Sequence, residues 1–549
     1  MTAKKRWDVW TGITIGIFLL YVFFLLYPLL TLLGKSFMDA DGKFTLAAFE
    51  KFFSKKYYYG TILNSLKITV TVTTFTVLLA TPLAYILNTV KIRFAAAIQI
   101  LILISSVSAP FIGAYSWILL LGRNGVITNF IKTVFGFQIP DIYGFKGIVL
   151  VLTLQLSPLV YMYVSGALKS VDSSLIEAAE SMGCTGLKKM FKIIGPLILP
   201  TILAGGLLVF MRALADFGTP MLIGEGYRTV PVLIFNEFIG EMGQDDSFAA
   251  AISVMVVLFA TTVFLIQKFI SSKKAFTMSS LRPIQAKKEK GVKGLLAHVF
   301  VYAYIILAML PQLYVVYTSF LNTSGKIFVK GFSFNSYQIA LSKIGDSIFN
   351  TFTLALFSLG IIIIVAILVA YVTIRRPSTL TNMLDMSTMF PYIVPGSILG
   401  IALLVTFNKR PFLLSGTAFI MILAFAIRRL PYTIRSSSAI LHQISISTEE
   451  AAISLGASQL KTFTKVTLPA MLPGVLSGAI LSWVSILTEL STSILLYTTA
   501  TRTMTIAIYS EVLRGNYGTA AALSTILSVI TIISLLIFFK ITGKKEFSM

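Results

Sequence analysis

Long apolar stretches, separated by short polar segments, run along almost the whole chain. A helix needs about 20 apolar residues to cross the roughly 30 Å of hydrocarbon in a bilayer. By that measure the sequence predicts an all-α integral membrane protein with about 12 transmembrane helices. These helices are expected within the stretches 10–33, 61–87, 94–121, 147–168, 197–222, 247–270, 295–320, 349–374, 381–407, 412–435, 469–497 and 519–541.

The composition agrees with a membrane protein and excludes several other classes. Of the 549 residues, 56% are hydrophobic and only 12% are charged, whereas a soluble domain has about 25% charged residues. The single cysteine, Cys184, excludes a disulfide framework, and two histidines far apart in sequence cannot supply a multi-histidine metal site. In a membrane protein a net charge of +23 is explained by the basic residues that hold loops in the cytoplasm.

The basic residues also predict the orientation of the chain. Both termini are expected in the cytoplasm, as an even number of spans requires. The predicted cytoplasmic segments then carry Lys4, Lys5, Arg6, Lys91, Arg93, Lys188, Lys189, Lys192, Lys287, Lys288, Lys290, Lys293, Arg375, Arg376, Arg428, Arg429, Arg435, Lys544 and Lys545.

The second half of the chain repeats the pattern of the first. Glu177 recurs as Glu450, a displacement of 450 − 177 = 273 residues. The same displacement relates Ala178, Ala179, Gly183, Pro196, Pro200 and Asp216 to Ala451, Ala452, Gly456, Pro469, Pro473 and Glu489. We therefore predict two repeats of six spans, 1–270 and 295–549, joined by a basic cytoplasmic linker, 271–294. Six spans return the chain to the same side, so the repeats are parallel and a pathway is expected between them.

A repeated loop, at about 172–196 and 445–469, lies on the predicted cytoplasmic side of each repeat. Ser174 with Glu177, and Ser447 with Glu450, fit capping boxes that begin a short helix. Gly183 and Gly456 suit a left-handed helix end. Pro196 and Pro469 can then begin the next membrane helix. A helix-turn-helix held at the membrane face is a docking surface for a cytoplasmic partner. The alternative is that both glutamates only cap their helices.

These loops resemble the coupling loops of type I ABC importer permeases. The second, EAAISLGASQLKTFTKVTLPAMLP, matches that family's pattern closely, and the first, EAAESMGCTGLKKMFKIIGPLILP, departs at Cys184 and Gly195, where alanine and leucine are usual. The resemblance implies that the chain lies in a bacterial inner membrane and that a cytoplasmic ABC ATPase dimer binds it, one subunit on each loop. The implied ATPase-coupling residues are Glu177, Ala178, Ala179, Gly183, Glu450, Ala451, Ala452 and Gly456.

No catalytic or nucleotide site is recognisable in the sequence. The phosphate-binding pattern G-x-x-x-x-G-K-[ST] does not occur, and no nucleophile–base, zinc-ligand or paired-carboxylate spacing stands out. We therefore expect a transport subunit with no catalytic residues and no cofactor of its own, with ATP and Mg²⁺ bound by the partner ATPase.

Two acidic residues within the predicted spans are candidates for the translocation pathway, because ionisable residues in a bilayer are costly. Asp216 and Glu489 are equivalent by the repeat, and hydroxyl residues follow them at Thr219, Ser491 and Thr492. Such an oxygen-rich, negatively charged lining suits a hard cation, so Asp216 and Glu489 are predicted as transient metal contacts.

Arg212 leaves other interpretations open. It lies one helical turn before Asp216 and can neutralise it, or it can belong to an anion site for a phosphonate or a sulfate-like solute. The second repeat has Ser485 at the matching position, so Glu489 is predicted to have no such local partner.

The segments ADFGTPMLIG and TELSTSILLY, with the fused two-by-six layout, look like ferric-iron permeases of this superfamily. The resemblance implies an extracytoplasmic substrate-binding protein that delivers Fe³⁺. Fused permeases for thiamine, 2-aminoethylphosphonate or polyamines remain alternatives. A secondary transporter without an ATPase is a further alternative, but it should show ionisable relays deep in several spans.

Overall fold

A computed structural model describes residues 8–39, 41–107, 110–239, 246–272, 284, 286–325 and 327–542. Most of these residues are helical and the described strands are limited to one short hairpin, which confirms the predicted all-α fold. A short antiparallel hairpin is formed by strands β1 (Leu321–Ser324) and β2 (Ile327–Phe332), with Leu321 opposite Phe332. The basic residues at the two chain ends and half of the predicted linker, 273–283 and 285, lie outside the described residues.

The first repeat contains fourteen helices, counted within the described ranges. They are α1 (Val9–Tyr21), α2 (Tyr27–Lys35), α3 (Ala47–Ser54), α4 (Lys56–Thr89), α5 (Ala95–Val107), α6 (Pro110–Leu121), α7 (Val126–Phe135), α8 (Phe145–Lys169), α9 (Ser173–Ser181), α10 (Gly186–Lys189), α11 (Gly195–Leu214), α12 (Gly218–Ile223), α13 (Val230–Ile239) and α14 (Asp246–Ser272).

The second repeat follows the same order over its described part. It contains α15 (Gly291–Ser319), α16 (Asn335–Arg375), α17 (Thr379–Ser387), α18 (Phe390–Ile393), α19 (Gly396–Thr406), α20 (Ala418–Gln443), α21 (Ile446–Ser454), α22 (Gln459–Thr462), α23 (Leu468–Leu487), α24 (Ser493–Leu496), α25 (Met504–Arg514) and α26 (Tyr517–Thr542), with a 3₁₀ turn at Thr499–Thr501.

Within the described residues, nine helices are long and apolar enough to cross a membrane, and up to eleven if each of two bent helix pairs is one span. The bends are 101° between Ala95–Ser106 and Phe111–Phe135, and 110° between Thr379–Ile393 and Gly396–Thr406. The tenth predicted span, 412–435, falls largely on α20, which does not pass this test. Helix α20 contains three arginines and a histidine, so hydropathy alone does not mark it as a span.

Three helices contain a π-helical turn just before a proline. The turns are Val22–Leu26 before Pro28, Met190–Ile194 before Pro196 and Phe463–Thr467 before Pro469. Proline lacks an amide hydrogen and crowds the preceding turn, and a π-turn relieves that conflict without ending the helix. The two repeat-related prolines, Pro196 and Pro469, therefore lie within continuous helices that begin earlier, in the repeated loops.

The first helix of each repeat packs on the other repeat. Helices α1 and α2 contact α16, α17 and α19, while α15 contacts α4, α5, α6 and α8. A buried hydrogen bond joins the Tyr304 hydroxyl of α15 to that of Ser157 in α8 at 2.7 Å. This exchange of first helices ties the two repeats together, since neither buries its apolar faces alone.

A polar contact recurs in both repeats. The Asn64 side chain donates to the Arg228 carbonyl at 3.1 Å, and the Val230 amide donates to Ser65 at 2.9 Å. In the second repeat Asn350 and Thr351 contact the Arg502 carbonyl and the Met504 amide, at 3.2 and 2.8 Å. The duplication seen in sequence is thus also a duplication of packing.

Candidate coupling loops and transport pathway

The first helices of the two repeated loops, α9 and α21, begin two residues earlier than predicted. The Asp172 carboxylate accepts the Ser174 amide at 2.9 Å, and the Ser445 hydroxyl accepts the Ser447 amide at 3.3 Å. The prediction that Ser174 and Ser447 are the caps is therefore wrong, because an Asp and a Ser upstream supply the acceptor first. Glu177 and Glu450 consequently lie within their helices, not at a cap.

The glycine turns after α9 and α21 are confirmed. Gly183 has φ +76° and Gly456 has φ +88°, the left-handed conformation that glycine adopts without steric cost. The amides of Cys184 and Ala457 donate back to the carbonyls of Ala179 and Ala452, at 2.9 and 3.1 Å, as in a Schellman motif. The two loops therefore have the same backbone geometry.

Most of the predicted coupling residues lie on the surface. Glu177, Ala178, Gly183, Glu450, Ala451 and Gly456 are exposed, Ala452 is half-buried and Ala179 is buried. Large apolar residues at the repeat-equivalent positions Met182 and Leu455 are 79% and 90% exposed. The tip of each loop therefore presents apolar surface, as a protein-docking site does.

The loops differ in how they are anchored. In the second, Arg375 of α16 binds Glu449 at 2.8 Å, and both side chains are at most 10% exposed. A cavity of about 190 Å³ lies beside this pair, next to Glu450. In the first loop Lys189 binds Glu180 at 2.5 Å, and this hydrogen bond lowers the pKa of the Glu180 carboxyl. The second loop has a buried anchor and the first an accessible one.

The two pathway acids, Asp216 and Glu489, lie at equivalent breaks in the fold. Each follows the end of a long helix, α11 or α23, and precedes a short one, α12 or α24. Asp216 accepts the Thr219 amide at 2.9 Å, and Glu489 accepts the Thr492 amide at 3.1 Å and the Ser491 hydroxyl at 2.9 Å. The acids and hydroxyls grouped by the sequence analysis are thus adjacent within each repeat.

Glu489 is paired with two arginines that the sequence analysis assigned to the cytoplasmic side. Arg428 binds one carboxylate oxygen at 2.6 Å and Arg429 binds the other. Arg428 also donates to Ser491 and Thr492, at 2.7 and 2.6 Å. Both arginines lie in the interior of α20, about 60 residues before Glu489 in sequence, so they are distant partners that the search for a local one could not find. The predicted role of Glu489 as a metal contact is not supported, because both oxygens are occupied by guanidinium groups.

Arg212 does not pair with Asp216. Its guanidinium donates instead to the Tyr432 hydroxyl of the other repeat, at 3.2 Å. Arg212 is exposed, although it interacts electrostatically with Tyr163, Tyr392 and Arg428 from both repeats. Its side chain therefore faces an open space between the repeats.

A signal for the missed arginines is present in the sequence. Arg428 and Arg429 lie inside an apolar run long enough to span a membrane, where a charge requires a partner. Within the described residues, no group of three or more His, Cys, Asp or Glu side chains is placed to hold a metal ion.

Comparison with known proteins agrees with the duplicated architecture. The family described as "Binding-protein-dependent transport system inner membrane component" matches this chain twice, over residues 9–275 and 342–544.

Two curated relatives match the chain across both repeats, and a third matches 45% of it with 87% of its own length. The chain is 29% identical to the "Ferric transport system permease protein FbpB" of Actinobacillus pleuropneumoniae, covering 97% of this chain and 78% of that protein. It is also 29% identical to the "Putative ferric transport system permease protein FbpB 1" of Haemophilus influenzae, over 88% and 78% of the two chains. A "Putative 2-aminoethylphosphonate transport system permease protein PhnU" of Salmonella typhimurium is 24% identical over 45% of this chain.

Proposed function

Because the chain belongs to the family of inner-membrane components of binding-protein-dependent transport systems, we propose that it is the permease subunit of an ATP-driven importer for ferric iron. Membership of this family supports the general assignment as a multi-pass permease of an ABC importer. The iron assignment is supported by relatives named as ferric permeases that align with most of the chain.

A dimeric ABC ATPase docks on the two cytoplasmic loops, one subunit on each. This proposal is supported by the shared backbone geometry of the two loops and by the exposed apolar residues Met182 and Leu455 at their tips. A substrate-binding protein delivers the cargo to the opposite face, and both chain termini lie on the cytoplasmic side.

Transport proceeds by alternating access between the two repeats. Closure of the ATPase dimer draws the loops together, and the continuous helices that start at α10 and α22 carry this movement into the membrane. Hydrolysis then resets the repeats. Asp216 is half-buried and accepts the Thr219 amide, and its carboxylate makes transient contact with the cargo. Glu489 instead holds Arg428 and Arg429 in place.

The docking role is tested by changing the two loop tips in the reconstituted transporter. Met182→Asp combined with Leu455→Asp should lower ATP-dependent iron uptake by at least about tenfold, as expected when an interface hot spot is lost. The matched control, Met182→Leu with Leu455→Met, keeps both tips apolar and should retain uptake. Normal uptake by the charged variant, with the ATPase still bound, would contradict the docking role.

The cargo is tested by supplying radiolabelled iron or 2-aminoethylphosphonate to the same proteoliposomes. The second solute is included because one relative is named for it and three arginines line the pathway. ATP-dependent uptake of iron alone supports the proposal, and uptake of the phosphonate alone would replace it. Asp216→Asn should reduce iron uptake while leaving basal ATP hydrolysis intact.

A further inference from the structure

The charged residues between the repeats are unsuited to a bare cation. Three arginines, Arg212, Arg428 and Arg429, belong to one cluster with the carboxylates of Asp216 and Glu489. Arg428 and Arg429 pair with Glu489, and Arg428 also interacts with Asp216 and with Arg212. Both oxygens of Glu489 are bound by guanidinium groups, and its side chain is only 2% exposed. Three guanidinium groups and two carboxylates leave the cluster with one positive charge in excess.

The excess charge is carried by the most accessible member of the cluster. Arg428 and Arg429 have side chains that are 13% and 15% exposed, whereas Arg212 is exposed and is hydrogen-bonded to the neutral Tyr432 hydroxyl. The Asp216 carboxylate interacts with Arg428 and forms no ion pair with Arg212. A solute between the repeats thus meets the Arg212 guanidinium before it meets Glu489.

The neighbouring backbone adds to the positive field. Helix α19 begins at Gly396, and a β-carbon on this glycine would lie 1.5 Å from an Arg428 guanidinium nitrogen. Only glycine allows the arginine to lie against this helix end, whose unpaired amides carry a partial positive charge. Arg428, Arg429 and the N-terminus of α19 are therefore all positive, and all three favour a negatively charged ligand.

We propose that Arg212, Arg428 and Arg429 form a positively charged constriction through which the cargo passes as an anion, so that ferric iron crosses as a complex with oxyanion ligands. This inference rests on the proposed function only for the identity of the metal. A trivalent cation alone would be repelled by the excess charge, whereas oxyanion ligands satisfy iron and accept hydrogen bonds from guanidinium groups.

The test uses the complete transporter in proteoliposomes, with its ATPase and a binding protein loaded with radiolabelled iron and radiolabelled phosphate. We expect both labels to accumulate together on ATP addition. Arg212→Gln should lower both by about tenfold, and Arg212→Lys should restore most of the uptake. Arg123→Gln, at an exposed ion pair with Asp141 and Glu225, is the control and should change neither.

The outcomes separate this inference from the iron assignment. Iron that enters without phosphate, or unchanged uptake in Arg212→Gln, overturns the anionic constriction and leaves the iron assignment intact. Phosphate that enters without iron supports the constriction with a free oxyanion as its cargo and overturns the iron assignment. Entry of neither label contradicts both.

Discussion

The Glu489 carboxylate is held in place by four neighbouring polar groups. Two guanidinium groups, a backbone amide and a serine hydroxyl converge on its two oxygens. A buried ion pair of this kind adds little net stability over an apolar pair, but removing one partner leaves an uncompensated charge. The cluster therefore adds little stability as a whole, but the chain loses stability when either side of the ion pair is removed.

Glu489→Gln is expected to lower the free energy of unfolding by about 3 kcal/mol, because two arginines lose their counter-charge in a buried site. The change is measured as a fall in the midpoint of thermal unfolding of the purified chain. Glu225→Gln breaks an exposed pair with Arg123 and should cost less than about 1 kcal/mol. Equal shifts for the two variants would show that the Glu489 cluster is not buried as described.

Glu180 gives the first loop a stability that depends on pH. The hydrogen bond from Lys189 lowers the pKa of its carboxyl below the usual 4.5. Because the pKa is lower in the folded protein, the pair is fully stabilising above about pH 4.5 and is lost as the pH falls through the folded value. The difference in unfolding midpoint between the native chain and Glu180→Gln should therefore be present at neutral pH and vanish in acid. A difference independent of pH would contradict this pairing.

Glycines serve two different purposes in the repeated elements. Gly456 ends α21 with a positive φ, and a β-carbon there would meet nothing within 4 Å. Gly478 lies inside α23, and a β-carbon there would lie 2.6 Å from the Thr433 α-carbon of α20. The first is required by the turn, and the second by the close approach of two helices.

Gly456→Ala is expected to cost about 1 kcal/mol through backbone strain alone, since an L-residue pays this in the left-handed region. Gly345→Ala is the control, because Gly345 lies in helix α16 with equally open surroundings and alanine should stabilise it by up to about 1 kcal/mol. Thermal unfolding of both variants measures the difference. Shifts of the same sign would refute the assignment of the cost to the turn.

Gly478→Ala should destabilise the chain by about 2 kcal/mol, because overpacking forces α20 and α23 apart. Its repeat equivalent, Gly205, provides a matched comparison: a β-carbon there would lie 3.4 Å from the nearest atom, in the Tyr163 side chain. Gly205→Ala should therefore be nearly neutral. A comparable loss of thermal stability in both variants would mean that the repeats pack alike at this position.

At the scale of the whole molecule, the exchanged first helices link distant parts of the sequence. Trp10 of α1 packs against Tyr371 and Phe463, with ring centroids 4.4 and 5.0 Å away. Phe463 belongs to the helix that leaves the second loop, and Asp8 binds Arg376 nearby at 3.3 Å. Asp8 and Trp10 of the first repeat therefore support the elements around the second repeated loop.

Trp10→Ala removes a buried indole and should cost about 3 kcal/mol. Hydrogen exchange is expected to become faster at 459–467, which is far from Trp10 in sequence, and to stay unchanged at the equivalent segment 186–194. Faster exchange in both segments to the same extent would argue against the specific support described here.

The parts that sequence reasoning recovered are those encoded locally. Apolar stretches predicted the helices, the 273-residue displacement predicted equivalent loops, and Gly183 and Gly456 predicted the turns. The cap positions were wrong because Asp172 and Ser445 accept the amides of Ser174 and Ser447, so each helix begins two residues earlier and these two serines lie inside it. The pairing of Arg212 with Asp216 was wrong because Tyr432, 220 residues away, offers the guanidinium a partner.

The sequence by itself determined the membrane class, the internal duplication and the two equivalent loops with their glycine turns, since hydropathy, the repeat displacement and turn chemistry can be read from the chain without its fold. Only the tertiary structure decided which charges meet between the repeats. Arg428 and Glu489 are 61 residues apart, and the folding of α20 against α23 brings them within 2.6 Å. In a medium that screens charge poorly, the field of a pathway is the sum over all such neighbours, and that sum exists only once the helices have packed.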